Sequence, residues 1–181
     1  LFRSVDTDKY TAFTELQPTQ GYFMRVEAGK KTVYPLQACL YMEEEGVLQA
    51  VHNIVIAEEG AEMNIITGCT TASSLRSGLH LGVSEFYVKK GAKITFTMIH
   101  NWKEDVVVRP RTGVIVEEGG VFISNYVSMK QVRDLQTFPT AYLNGDNAVA
   151  RFSSILVAPE GSYLDTGARV YLNGRGSRSE I

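Results

Sequence analysis

Two cysteines and three histidines are the side chains best suited to chemistry, and they stand far apart in the chain: Cys39, Cys69, His52, His80 and His100. Cys69 lies in Ile65-Ile66-Thr67-Gly68-Cys69-Thr70-Thr71, beside a glycine at the end of a strand-like run, where its sulfur could meet a ligand or a second thiol. As a thiolate it would be a nucleophile; packed in the strand it would be a small apolar residue, as free cysteines commonly are. Both readings stay open on these residues alone. Cys39, inside Leu36-Gln37-Ala38-Cys39-Leu40-Tyr41, reads as packing. The histidines would suit zinc, iron or nickel if stacked together, yet no HxH, CxxC or HExxH spacing occurs, so no metal site is expected. Singly they read as surface or strand-end residues. Most acids sit in turns, as in Glu43-Glu44-Glu45 and Glu117-Glu118, whereas Asp165 follows a strand. One isolated acid is not the carboxylate pair that saccharide cleavage uses.

The elements that would position these residues repeat. Five segments end on a glycine: Gly21–Gly29, His52–Gly60, Val83–Gly91, Arg111–Gly119 and Ser153–Gly161, with 31, 31, 28 and 42 residues between the glycines. Each places apolar residues three to five positions before that glycine and, usually, two polar residues just ahead of it. Repetition at 20 to 50 residues is the mark of a stacked architecture. Val, Ile and Thr total 43, and runs such as Phe86-Tyr87-Val88 and Val106-Val107-Val108 are strand formers. Glu-Glu-Gly and Lys-Lys-Gly supply corners. No run of ten residues carries helical periodicity; the nearest, Met129–Phe138, reads as an insertion that produces the longest spacing. The reading is all-β, a parallel β-helix over residues 1–181. The six-residue period of hexapeptide acyltransferases is absent.

Composition excludes several classes. With 181 residues, 44% of them hydrophobic, the chain suits one globular domain and not a disordered one. A net charge of −2 gives no basic field for nucleic acid or anionic lipid. No apolar run is long enough to span a membrane, no signal-peptide pattern is visible, and two cysteines are too few for a disulfide scaffold, so a cytoplasmic setting is expected. The start at Leu1 without Met, and the stop at Ile181 just after Arg169–Leu172 and the polar Gly174–Ser177, read as cuts in a longer protein. Open strand edges at such ends need capping by further chain or pairing with a second subunit.

Thr67-Gly68-Cys69-Thr70, Leu79-His80, Val83-Ser84-Glu85, Lys89-Lys90-Gly91-Ala92, His100-Asn101-Trp102, Gly145-Asp146-Asn147 and Asp165-Thr166-Gly167 occur in the order seen in the SufB/SufD family, which this chain resembles from about Gly46 to Ile181. The resemblance implies a β-helix core of the SUF iron–sulfur cluster assembly machinery, with flanking helical segments missing here. It also implies a non-enzymatic scaffold working with a SufC-type ABC ATPase and a sulfur donor protein. Pairing through the β-helix would be as a homodimer or a SufB–SufD heterodimer. Carried over, Cys69 matches the cysteine of sulfur transfer, while His100, Asn101 and Trp102 match a segment lining an inner path. His100 stands where the SufB-like pattern more often has Gln. A transient iron–sulfur cluster belongs to the full-length complex, not to this fragment, because the later cluster residues and the ATPase-docking segment fall beyond Ile181. A SufD-like partner subunit and a carbohydrate-active β-helix enzyme are the competing readings.

Overall fold

The computed structural model describes residues 7–130 and 132–181. The chain winds as a parallel β-solenoid of six rungs between two sheets. The first four rungs are simple pairs: β1 (Phe23–Val26) and β2 (Leu36–Met42), β3 (Leu48–Ala57) and β4 (Glu62–Thr71), β5 (Ser77–Val88) and β6 (Lys93–Asn101), β7 (Asp105–Val116) and β8 (Val121–Ser128). The fifth splits its first side into β9 (Asp134–Thr137) and β10 (Thr140–Leu143) before β11 (Val149–Leu156); the sixth repeats this as β12 (Tyr163–Thr166), β13 (Arg169–Leu172) and β14 (Arg178–Glu180). Sheet A runs β1-β3-β5-β7-β10-β13 with β9 and β12 beside it, and sheet B runs β2-β4-β6-β8-β11-β14. All pairings among the described strands are parallel, so the alternation of side chains stacks like residues rung over rung: Val55, Phe86, Val114 and Ala141 in one column, Met63, Ile94, Phe122 and Ala150 in another.

The first four glycine-ended segments mark one corner of the solenoid, where Gly29, Gly60, Gly91 and Gly119 have positive φ. The fifth segment does not belong to that column. Ser153 lies on sheet B, and Gly161 turns the opposite corner. The fifth corner residue is Asn147, the only non-glycine among the described residues with positive φ (58°), followed by Gly176. Positions 29, 60, 91, 119, 147 and 176 restore spacings of 31, 31, 28, 28 and 29, so no insertion lengthens the coil. Met129–Phe138 instead holds β9, a member of sheet A; its Gln131 lies outside the described residues. Asparagine tolerates the left-handed region where other side chains collide with their own carbonyl. Asn147→Ala should therefore lower stability by about 1–2 kcal/mol and Asn147→Gly should be near neutral, as read from urea unfolding midpoints. Equal losses for both would remove Asn147 from the corner column.

A helix is present that periodicity missed. α1 (Lys9–Leu16) has eight residues and is started by side chains: Asp8 accepts from the Tyr10 and Thr11 amides at 2.9 Å, and Thr11 Oγ1 accepts from the Asp8 amide. It lies on the outer face of sheet A against β3 and β5. Arg111 donates to the Asp8 carboxylate, and the Tyr10 ring packs near the Arg109 and Arg111 guanidiniums at 5.7 and 5.1 Å. The segment after Arg169–Leu172 also differs from expectation: Gly174–Ser177 is a turn, and β14 follows it.

Between β7 and the fifth rung the ladder opens. β7 pairs with β9 at Val107–Val108 and with β10 from Gly113, leaving 109–112 without a strand partner on that side. Pro110 has no amide to give there. The neighbouring arginines fill the gap: Arg109 Nη1 donates to the carbonyls of Val108 and Asp134, and Arg111 Nη1 to those of Pro110 and Gln136.

Candidate functional site

Two apolar clusters fill the solenoid and leave a space between them. One gathers Val55, Ile65, Phe86, Phe96, Phe122 and Phe152, with successive ring centroids 4.7–5.9 Å apart. The other holds Leu40, Met42, Val51, Cys69, Trp102, Val108 and Leu135. The cavity between them, about 350 Å³, is lined by Asn53, His80, Ser84, Met98, His100 and Tyr126 among others. These are the inward positions of β3, β5, β6 and β8 at which the sequence places polar or flexible side chains instead of aliphatic ones. Asn53 Nδ2 donates to Ser84 Oγ at 3.1 Å, and its Oδ1 accepts from the Tyr22 amide. Gly82 keeps room beside His80, since a Cβ there would come within 2.8 Å of Nε2.

The two histidines that sequence separates by twenty residues meet here. His80 and His100 have ring centroids 6.2 Å apart, with Trp102 4.8 Å from His80 and 5.3 Å from His100. His80 Nδ1 is 2.7 Å from Gln49 Oε1, and because Gln49 Nε2 already donates to the Tyr41 carbonyl, His80 Nδ1–H is the donor. His100 Nδ1 is 2.7 Å from Tyr126 Oη. Burial pushes the pKa of His80 down to about 3, and burial with the neighbouring His80 holds His100 well below the usual imidazole range. Both rings are neutral at pH 7.

Cys69 is buried, its Sγ 3.7 Å from the Met98 sulfur that borders the cavity. Burial, and then the field of Cys39 one residue away on the next strand, push its thiol up to about 12, so at rest it is a thiol and not a thiolate. Cys39 itself is exposed, on the outer face, which corrects its reading as strand packing. Of the segment expected to line an inner path, His100 and Trp102 are buried within, whereas Asn101 is exposed and bonds Thr70 on the outer face. Strand alternation requires this: neighbours of an inward residue point outward.

The remaining candidates lie outside. His52 is on the outer face of sheet A, its Nε2 2.9 Å from buried Glu85 and Nδ1 3.6 Å from Glu15 of α1; the Glu85 bond raises its pKa. Asp165 borders an outer groove with Asp8, Arg111 and Arg169, accepting from Gln136 while Asp8 is taken by Arg111. Among the described residues no three His, Cys, Asp or Glu side chains converge as a metal centre requires, and no helix is long and apolar enough to cross a membrane. Met98, Tyr126 and Gln49 had no signal of their own in sequence. The rung spacing alone would have placed Tyr126 over Met98 and His80 over Gln49.

Comparison with known proteins gives a consistent picture. Residues 40–181 match the family described as SUF system FeS cluster assembly, SufBD core domain. An iron-sulfur cluster assembly SufBD family protein of Methanothermobacter thermautotrophicus is 53% identical over 98% of this chain and 44% of its own length. One from Archaeoglobus fulgidus is 51% identical over 97% of this chain and 47% of its own. The iron-sulfur cluster assembly protein SufB of Bacillus subtilis is 28% identical over 90% of this chain and 35% of its own. The chain thus spans less than half the length of these relatives.

Proposed function

The chain belongs to the SufBD family of iron–sulfur cluster assembly proteins, and from that premise we propose that it is the β-helix of a scaffold subunit that takes up sulfur at Cys69. The observation carrying this reading is the Cys69 thiol, buried beside the Met98 sulfur, which in turn lines the interior cavity. Transfer of a sulfane sulfur needs a thiol nucleophile and a surrounding that keeps the resulting persulfide from water and oxidants. The lining mixes apolar and thioether groups with neutral hydroxyls and an amide, holds no Asp, Glu, Lys or Arg side chain among the described residues, and has neutral imidazoles as its strongest bases. No catalytic turnover is implied: the chain holds and passes on cargo.

The partners proposed for it are supported by family membership and not by this fold alone. They are a sulfur donor protein, a SufC-type ABC ATPase in the cytoplasm, and a second SufB- or SufD-like subunit, with the iron–sulfur cluster as product carried by the complete assembly. The carbohydrate reading ranks behind, because Asp8 and Asp165 are each already engaged. A SufD-like partner role is favoured by one observation, the raised pKa of Cys69. Cys69→Ser in the full-length protein, co-expressed with its ATPase and purified without oxygen, separates the two. We expect most iron and acid-labile sulfide to be lost with the fold intact by circular dichroism. Cluster yield equal to the parent's would exclude Cys69 from sulfur uptake, and a colourless parent that still binds the ATPase would establish the partner role.

A further inference from the structure

His100 Nε2 is buried and has no hydrogen-bond partner. A polar atom buried and left unpaired costs free energy, and each one in a native fold calls for an explanation, a chemical role among them. Its surroundings suggest that role. Tyr126, on β8, holds Nδ1, so Nε2 lies on the opposite edge of the ring. On the other side of β6 runs β4, where the register partner of His100 is Cys69, on the same inner face. The Cys69 sulfur now rests on Met98, two residues before His100 on β6. One turn of χ1 between staggered wells swings it along the strand.

The tautomer is chosen by the unpaired edge: a buried ring nitrogen without a partner is more readily a bare acceptor than an N–H, which puts the His100 proton on Nδ1, donated to the Tyr126 oxygen. Nε2 is then a bare lone pair, matching His80, whose Nδ1–H is committed to Gln49.

We propose that His100 is the general base for Cys69: as the thiol attacks a sulfane sulfur, Nε2 takes its proton, and Tyr126 is the positioning residue that fixes the tautomer. This deepens the sulfur-uptake reading and rests on it. In the step, Cys69 Sγ bonds the outer sulfur of a donor persulfide and the donor's S–S bond breaks. The proton passes from Sγ to Nε2 and on to the departing donor thiolate, so that sulfur keeps its oxidation level and no oxidant is consumed. Without a base the step is starved: a thiol near 12 leaves about one thiolate in 10⁵ at pH 7. The titratable groups facing the pair are His80 on β5, Tyr126 on β8, Tyr22 ahead of β1, and Cys39 through the sheet; among the described residues no Asp, Glu, Lys or Arg side chain lines the cavity.

The test uses the full-length protein under argon. Iodoacetamide alkylation of the Cys69 peptide is followed by mass spectrometry from about pH 6 to 9, alongside sulfur loading from inorganic polysulfide. The parent should react at a nearly pH-independent rate, because the base is bare throughout. His100→Gln, which keeps an amide of similar reach, should react at least about tenfold more slowly at pH 7 and regain about tenfold per pH unit, as thiolate alone reacts. Tyr126→Phe should slow the reaction a few-fold while leaving the profile flat, which also guards against a His100 variant that merely misfolds. His100→Gln with the parent's rate and flat profile would overturn the proposal. Polysulfide loading that survives Cys69→Ser would overturn the sulfur-uptake reading instead, whatever the alkylation profile.

Discussion

Gly145→Ala should destabilise the protein by more than about 4 kcal/mol, enough to leave many small proteins largely unfolded. A Cβ at Gly145 would lie 1.9 Å from the Glu118 amide nitrogen and 2.4 Å from both the Glu117 carbonyl carbon and the Glu118 Cα. These are backbone atoms of the rung below, so no side chain can swing aside. The rung above repeats the contact, with a Cβ at Gly174 meeting the Gly145 carbonyl oxygen at 1.9 Å. Ordinary overpacking costs 1–3 kcal/mol because side chains and backbone share the adjustment. Here the coils themselves must part, and parting breaks the ladder on both faces. Gly68→Ala is the control: it sits on β4 with nothing within 4 Å of the added carbon, and should shift stability by less than about 0.5 kcal/mol. Urea midpoints of the two variants decide the matter, and a Gly145→Ala loss below about 1 kcal/mol would refute close coil contact at this corner.

Acid should unfold this protein steeply, starting below about pH 6.5. His80 and His100 are neutral and buried in the fold but take up protons once the chain is unfolded. Their folded pKa values lie below the unfolded ones, so the stability they carry is complete above the unfolded pKa. It is lost as pH falls toward the folded value, about 3 for His80. Two protons bound on unfolding give a slope near 2.7 kcal/mol per pH unit, hence a loss of about 4 kcal/mol at pH 5. His52 does not offset this, since below pH 6.5 it is protonated in both states. Carboxylates join only below about pH 4.5. His80→Gln should halve the slope between about pH 6 and 5, measured as unfolding free energy against pH; an unchanged slope would mean that His80 is not buried neutral.

Much of this architecture was legible because the solenoid writes itself as a period. Four corner glycines fell at 31, 31 and 28 residues, and parallel stacking then follows. The fifth was lost because an asparagine stands in for glycine at 147, while Ser153–Gly161 imitates the pattern one corner out of phase. α1 escaped because eight residues held by an Asp8–Thr11 box and by Arg111 need no apolar stripe. In the lumen the limits were of another kind. Cys69, His80 and His100 were visible as reactive types, and stacking was the stated condition for two histidines to meet. Which two depends on inward or outward parity, and the same parity sends Asn101 to solvent. Tyr126 and Met98 looked like ordinary strand residues, because their meaning lies in which rung neighbour they face.

The breach between β7 and β9 has a consequence for how such a chamber can change over generations. A wall of backbone hydrogen bonds is indifferent to sequence, so point mutation hardly touches it. At 109–112 the closure belongs to the side chains of Arg109 and Arg111, each bridging carbonyls of successive rungs, while Pro110 and Thr112 between and beside them face the cavity. Two codons therefore govern a closure that elsewhere would require rebuilding a strand. Descendants of this chain could open the wall there by changing Arg109 or Arg111 while every other rung stays in register.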